Sequence, residues 1–376
     1  MRIRSLYILF VLLLAVSCLD PYYPAVNDYI DLPVIEGMIT NEPGPYTIRL
    51  THSTAIQDME IKPIRGATIT IEDDQGTLEV LSQVSPGVYQ TSPAGIQGTI
   101  GRSYRLTVES EGNIYQSDFE LLREPVPIDS IYALPQSKPA IDGYLQGLQF
   151  FVNTGVIPDP QVNFLWTFTE TYKFRSEFEL DFIYYGIDSI VRNYSDSGLI
   201  CWRTDKSIET FTWSANQMTQ PTLQSFPLQF IDTRTVKISM RYSMLLLQYT
   251  ISTSAFQYWN EVEKLHEETG SLYTRQPYQV KGNFINQTDP DAMVLGYFMT
   301  AGVTNRRIFI DKPSFDFNYN ECIPVINLYQ TTNPNLLKFP LFSMELGTGD
   351  EAFALHSCFD CRLKGGTITQ PDFWEE

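Results

Sequence analysis

Between Val162 and Lys173 the chain alternates apolar with polar residues. Val162, Phe164, Trp166, Phe168 and Tyr172 fall on one side of an extended backbone, and Asn163, Thr167, Thr169, Thr171 and Lys173 on the other. A period of two marks a half-buried strand and does not fit a helix. Val236, Ile238, Met240, Tyr242 and Met244 repeat the pattern, and so do Met293, Leu295, Tyr297 and Met299. Strict alternation of this kind is the ordinary sign of burial, so these rows are expected in a core rather than on a ligand platform. The 50 aromatic residues (23 Phe, 22 Tyr, 5 Trp) suit the same architecture, because rings pack well on a pleated surface. The fold class expected is mainly β.

The first third reads as a smaller β unit. Strands are expected at Val34–Ile39, around Tyr46, Ile48 and Leu50, and through Ala67, Ile69 and Ile71. Asp74-Gln75-Gly76 turns the last of these towards Leu78 and Val80, and Pro86-Gly87 is a further turn. Tyr104, Leu106 and Val108 form another strand, which Glu111-Gly112-Asn113 turns back towards Tyr115 and Phe119. About seven short strands at this spacing predict an immunoglobulin-like β-sandwich over 31–124. Glu124-Pro125-Val126-Pro127-Ile128-Asp129-Ser130 reads as a domain joint, since proline withholds a ladder donor. The second unit, 125–376, is expected to be larger and β-rich, with one packed helix. Phe256, Trp259, Val262, Leu265 and His266 recur at helical spacing, Ser254 and Gln257 fit a capping box, and Gly270 stands where a helix would stop. These place the helix at about 254–269.

The N-terminus constrains location. Arg2 and Arg4 precede the apolar run Leu6–Val16, and Cys18 follows Leu14-Ala15-Val16-Ser17. A basic start, a short apolar core and small residues before the cut describe a secretory signal over 1–17. The run falls short of the ~20 residues a membrane-spanning helix needs, which argues against an uncleaved anchor. The cysteine position predicts acylation of Cys18 as the first mature residue, anchoring the chain to a lipid bilayer; two or more acyl chains hold a protein stably. Residues 18–30, with Asp20-Pro21-Tyr22-Tyr23-Pro24, read as a tether. A formal charge of −18 argues against nucleic acid and against lying on an anionic bilayer.

Chemical vocabulary is sparse. His52, His266 and His356 lie in no His-Glu-x-x-His motif, and no nucleophile elbow or phosphate-cradling glycine loop occurs. Asp289-Pro290-Asp291 lacks the further oxygen ligands of a calcium loop and reads as a turn. No catalytic residue, metal site or cofactor is assigned. The cysteines say more. Beyond Cys18 there are Cys201, Cys322, Cys358 and Cys361, an even number that allows three pairings. The rival is zinc held by Cys322, His356, Cys358 and Cys361; export favours disulfides. A bridge from Cys322 to the Cys358/Cys361 pair would tie down a tail whose Phe373 and Trp374 are expected to be buried.

Several phrases resemble one family: the Cys18 cluster, Pro125–Ser130, Tyr249–Trp259, and Gly282-Asn283 followed by Val294-Leu295-Gly296-Tyr297-Phe298. The most specific is Cys358–Thr367, with Gly365 and Gly366, followed by Pro371, Phe373 and Trp374. Together they resemble the Bacteroidota lipoproteins called domain of unknown function 4249. The resemblance implies an outer-membrane accessory lipoprotein, on the cell-surface or the periplasmic face, whose partner is a TonB-dependent receptor in nutrient uptake. It brings no catalytic residues. A surface hydrolase acting on an oligomer before uptake and a structural envelope protein are the alternatives.

Overall fold

The computed structural model describes residues 31–376 apart from 55–59, 142, 160, 194, 196–197, 218–220, 269–278, 318, 320–321, 327 and 329–336. Cys18, the signal segment, the 18–30 tether and Gly270 lie outside the described residues.

The strands used below are β1 (Pro33–Thr40), β2 (Thr47–His52), β3 (Thr68–Asp73), β4 (Ser103–Ser110) and β5 (Asn113–Ser117). They are followed by β6 (Ile128–Ala140), β7 (Gly143–Thr154), β8 (Asn163–Arg175), β9 (Ile200–Lys206), β10 (Phe226–Asp232) and β11 (Arg241–Ile251). Helix α1 (Thr253–Glu268) and β12 (Phe298–Asp311) complete the set.

One ten-stranded sheet runs through the molecule in the order β9-β8-β11-β12-β1-β2, continuing into Val88–Gln90 and Ser82–Ser85. Two other sheets cover one of its faces. A six-stranded sheet containing β5, β4 and β3 packs over the β1–β2 end, where Ile35, Ile39, Ile48 and Leu50 meet Ile69, Ile71, Leu106 and Val108. The three-stranded sheet β6-β7-β10 packs over the other end, where Leu148, Phe150 and Val152 meet Phe164, Trp166, Tyr242 and Met244. Each core buries one side of an alternating strand, which is why the period of two was legible. On the opposite face of the long sheet, α1 covers Leu165, Tyr249, Ile251 and Val303. A fourth, five-stranded sheet, including Phe182–Gly186, Leu341–Glu345 and Glu351–Ala354, closes the end near Arg175.

The mainly β class and the helix agree with the sequence reading. Several details differ. The first unit is not a self-contained immunoglobulin-like sandwich, because later chain completes both its sheets. β1 pairs in parallel with β12, Gly37 opposite Phe298, and Phe284–Asn286 pairs with β5. Phe284, Val294 and Phe298 sit in the first core. The proline joint does separate the two cores, but it is clamped rather than free. Val126 is buried; its N–H donates to Thr250 Oγ1 (3.1 Å), and its carbonyl accepts from Gln248 Nε2 (2.7 Å) and Thr304 Oγ1 (2.9 Å). Gln248 in turn accepts from Trp166 Nε1 at 2.9 Å, so a buried amide is satisfied at both ends.

Two strands start later than alternation suggests. Val236–Met240 is turn, although Ile238 is buried, and β11 begins at Arg241. Met293–Tyr297 is likewise irregular before β12. Gly296 has φ 89° and approaches β1 so closely that a Cβ there would lie 2.1 Å from the Ile35 carbonyl oxygen; it breaks the regular ladder, although Leu295 still bridges to Val34. The helix cap is Ser252, whose Oγ accepts from Ala255 N–H at 3.1 Å, not Ser254. Ser254 is used elsewhere: its hydroxyl donates to the buried Glu120.

Candidate binding surfaces

Cys201, Cys322, Cys358 and Cys361 form two disulfides, Cys201–Cys361 and Cys322–Cys358. Sulfurs spent in S–S bonds are not thiolate ligands, so the zinc set Cys322, His356, Cys358 and Cys361 is overturned. His356 instead stacks on Phe342 with ring centroids 3.9 Å apart. No group of three or more metal-ligating side chains occurs among the described residues. Asp289-Pro290-Asp291 lies in a turn where Ala292 N–H donates to the Asp289 carbonyl.

The Cys201–Cys361 disulfide fastens the C-terminal tail to β9. Thr367 and Trp202 exchange two backbone hydrogen bonds of 2.8 Å, and Cys361 N–H donates to the Gly198 carbonyl. Gly365 ends a short turn of helix at φ 80°. Gly366 lies so close to the core that a Cβ would stand 2.6 Å from Cys201 Cβ and 2.9 Å from the Phe174 ring. Pro371 accepts a backbone bond from Trp374, which is buried edge-on against Trp202 and Phe309. Phe373 departs from its expected burial: it is 40% exposed, with the Arg307 guanidinium 3.7 Å above its ring. The Asp360 carboxyl is held below the usual range by Arg362 beside it.

Two buried carboxylates are the nearest thing to acid–base groups. Glu170 accepts from Lys237 and from Tyr242 (3.1 Å); burial and then Glu170 push the Tyr242 hydroxyl far above its ordinary range. Glu120 accepts from Ser254 (3.0 Å) and Tyr297. Each is saturated by neighbouring donors at a junction between elements, which is a structural role.

Two surfaces remain open. The first is the β6–β7 hairpin, which the sequence reading did not single out. Its base pairs with β10 from Phe226 to Asp232, but Ser137–Ala140 and Gly143–Gln146 pair with each other beyond the β10 pairing. The tip carries Ile141 at 102% relative exposure and Tyr144 at 76%, and Leu134 is exposed lower on the arm. A cleft of about 590 Å³ lies beneath, bounded by Ile141, Tyr144, Thr233, Arg234 and Asp316.

The second is a cleft of about 330 Å³ on the helix-bearing face of the long sheet, where α1 stops short of β1 and β2. Tyr258 and Trp259 of α1 form one wall, Met38, Tyr297 and Met299 the floor, and Glu36, Arg49 and Lys206 the rim. Tyr258 lies 4.9 Å from Tyr297 and edge-on to Trp259, which donates to Met299 Sδ at 3.2 Å. Burial, with Glu36 adding to it, pushes the Tyr258 hydroxyl up to about 12. This site joins residues more than 200 positions apart through the parallel β1–β12 pairing, for which no local sequence signal exists.

No helix of the described residues is long and apolar enough to cross a membrane. No curated protein matches the chain. The model of a family described as a domain of unknown function (DUF4249) matches residues 20–307, from the tether through most of β12, and the chain belongs to that family.

Proposed function

We propose that this protein is a lipid-anchored, non-catalytic accessory protein of the outer membrane that docks on a TonB-dependent receptor and helps it capture or retain a ligand. The observation that supports this reading is the position of the hairpin arm relative to Pro33, where the first described strand begins. Pro33, where the described chain begins its first strand, bonds to Leu295 just before β12. The arm tip meets Thr233, Arg234 and Asp316, past the other end of β12 at Asp311. The 14 residues of β12, at about 3.4 Å each, separate the two by roughly 45 Å. Acylated at Cys18, the chain would present the arm at the end away from its attachment.

The arm has the composition of a contact: exposed Ile141, Tyr144 and Leu134 with Lys138 between them. Apolar and aromatic anchors of this kind dominate interface cores. A two-stranded tip is marginally stable in water on its own, so a partner covering it stabilises both. Confinement to the membrane plane raises the effective concentration next to a barrel without further contacts. The acidic body requires a polar or basic patch on the partner.

Mild detergent extraction and affinity purification is expected to recover one barrel receptor in near-equal amount, and Ile141→Asp with Tyr144→Asp to abolish it. Elution of the protein alone, with degradation of a polymer by the purified chain, refutes the reading in favour of a hydrolase.

A further inference from the structure

The aromatic cleft beside α1 has a charge pattern that narrows what it would hold. Acidic residues outnumber basic ones in the chain, 44 to 26. Arg49 and Lys206 on the rim form no ion pair with a described carboxylate. Arg49 stands directly across from Glu36 in the β1–β2 register, the favoured position for a cross-strand pair, yet the two are not bonded. Glu36 is instead close enough to influence the Tyr258 hydroxyl. The rim therefore offers two cations and one acceptor above a wall of aromatic rings and thioethers. The volume lies at the lower end of the ~300–1,000 Å³ of small-molecule sites.

We infer that this cleft binds a small ring compound bearing a carboxylate. The flat apolar face of the ring lies against Tyr258, Trp259 and Met38, and the carboxylate meets Arg49 and Lys206. A guanidinium matches a carboxylate in a two-pronged geometry, and aromatic faces accept either the C–H face of a sugar or another aromatic ring. Two sources share this chemistry, a uronic-acid sugar and an aromatic acid. The inference deepens the proposed reading by naming the ligand of a binding protein, and it needs no receptor to be tested.

The test is calorimetric titration of the full-length protein in detergent with trigalacturonate, with 4-hydroxyphenylacetate, and with the methyl ester of each. One acid is expected to bind at least ten-fold more tightly than its ester, and which acid binds identifies the source. Arg49→Gln, an exposed substitution that leaves the cores untouched, is expected to reduce the acid to the affinity of its ester without changing the ester or the melting temperature. Trp259→Ala is expected to lose both; because Trp259 also packs on Met299, the Arg49 variant carries the decision. Binding by neither acid, equal binding of acid and ester, or an acid affinity unmoved by Arg49→Gln overturns the inference. Receptor co-purification is expected to survive Arg49→Gln, so failure here with the receptor still bound leaves the docking reading standing, and the converse result does the opposite.

Discussion

Replacing Cys201 and Cys361 together by alanine tests how the tail is held. The bridge spans 160 residues, against 36 for Cys322–Cys358. In the chain-entropy description, opening a loop of the first size costs about 5 kcal/mol and of the second about 4 kcal/mol. Nesting of the smaller loop inside the larger changes the first figure little, because the dependence on length is logarithmic. Both Cys201 and Cys361 are fully buried against the second core, beside Phe174 and Gly366. Alanine is preferable to serine there, since an unpaired buried hydroxyl would add about 1–3 kcal/mol unrelated to the cross-link. Urea unfolding followed by tryptophan fluorescence is the assay, and it has a local reporter: Trp202 adjoins Cys201 and its ring centroid lies 6.4 Å from that of Trp374. The Cys201/Cys361 variant is expected to lose more stability than the Cys322/Cys358 variant and to expose both tryptophans. A loss below about 1 kcal/mol, or the reverse ranking, would refute the reasoning that long-loop closure and tail docking are the same event.

Three further outcomes follow from particular contacts. Gly366→Ala is expected to cost about 1–3 kcal/mol by overpacking Cys201 and Phe174, while Gly347→Ala, where an added Cβ meets nothing, leaves the urea midpoint unchanged. Stability is expected to fall as the pH drops below about 4. Asp73 illustrates the cause: burial raises its pKa, but the Thr77 and Gln75 N–H groups and Arg102 more than offset that, so the folded carboxyl stays below its unfolded value. Asp232 and Asp360, each lowered first by a neighbouring arginine, act the same way. Protons are then taken up on unfolding in acid, and Asp73→Asn is expected to flatten the fall in urea midpoint measured between pH 3 and 6. Finally, Cys18→Ser is expected to release the protein into the soluble fraction; unchanged membrane retention would refute acylation at that position.

The period of two made β1, β3, β4 and β8 legible because each has one face in a core and one outside it. The same period misled at Val236–Met240 and Met293–Tyr297. Ile238 is buried by turns rather than by a ladder, and Met293 is exposed. Alternation does not report regular strand geometry, which Gly296, in the left-handed region, interrupts. The β6–β7 hairpin escaped notice for the complementary reason. Its outer half leaves the core, so its apolar period lapses, and Pro135 and Pro139 read as breakers. They are tolerated because β6 is the edge strand of its sheet. The helix was plain from its spacing, but its cap is Ser252 rather than the expected Ser254, whose hydroxyl is taken by the tertiary contact to Glu120. Oxidation of the cysteines was readable from their number and the export signal, whereas their pairing required the fold. Neither the clamped proline joint nor the aromatic cleft was legible, because the first is held by side chains of β11 and β12 and the second depends on the return of β12 to β1.

The docking reading is best tested in intact cells, with a photoreactive amino acid placed at Tyr144 on the arm or at Leu78, which is exposed on the N-terminal unit. Illumination is expected to join the Tyr144 position to a single β-barrel receptor and to leave the Leu78 position unlinked. Absence of any barrel adduct at Tyr144, with the protein correctly localised and folded, would contradict receptor docking through the hairpin arm.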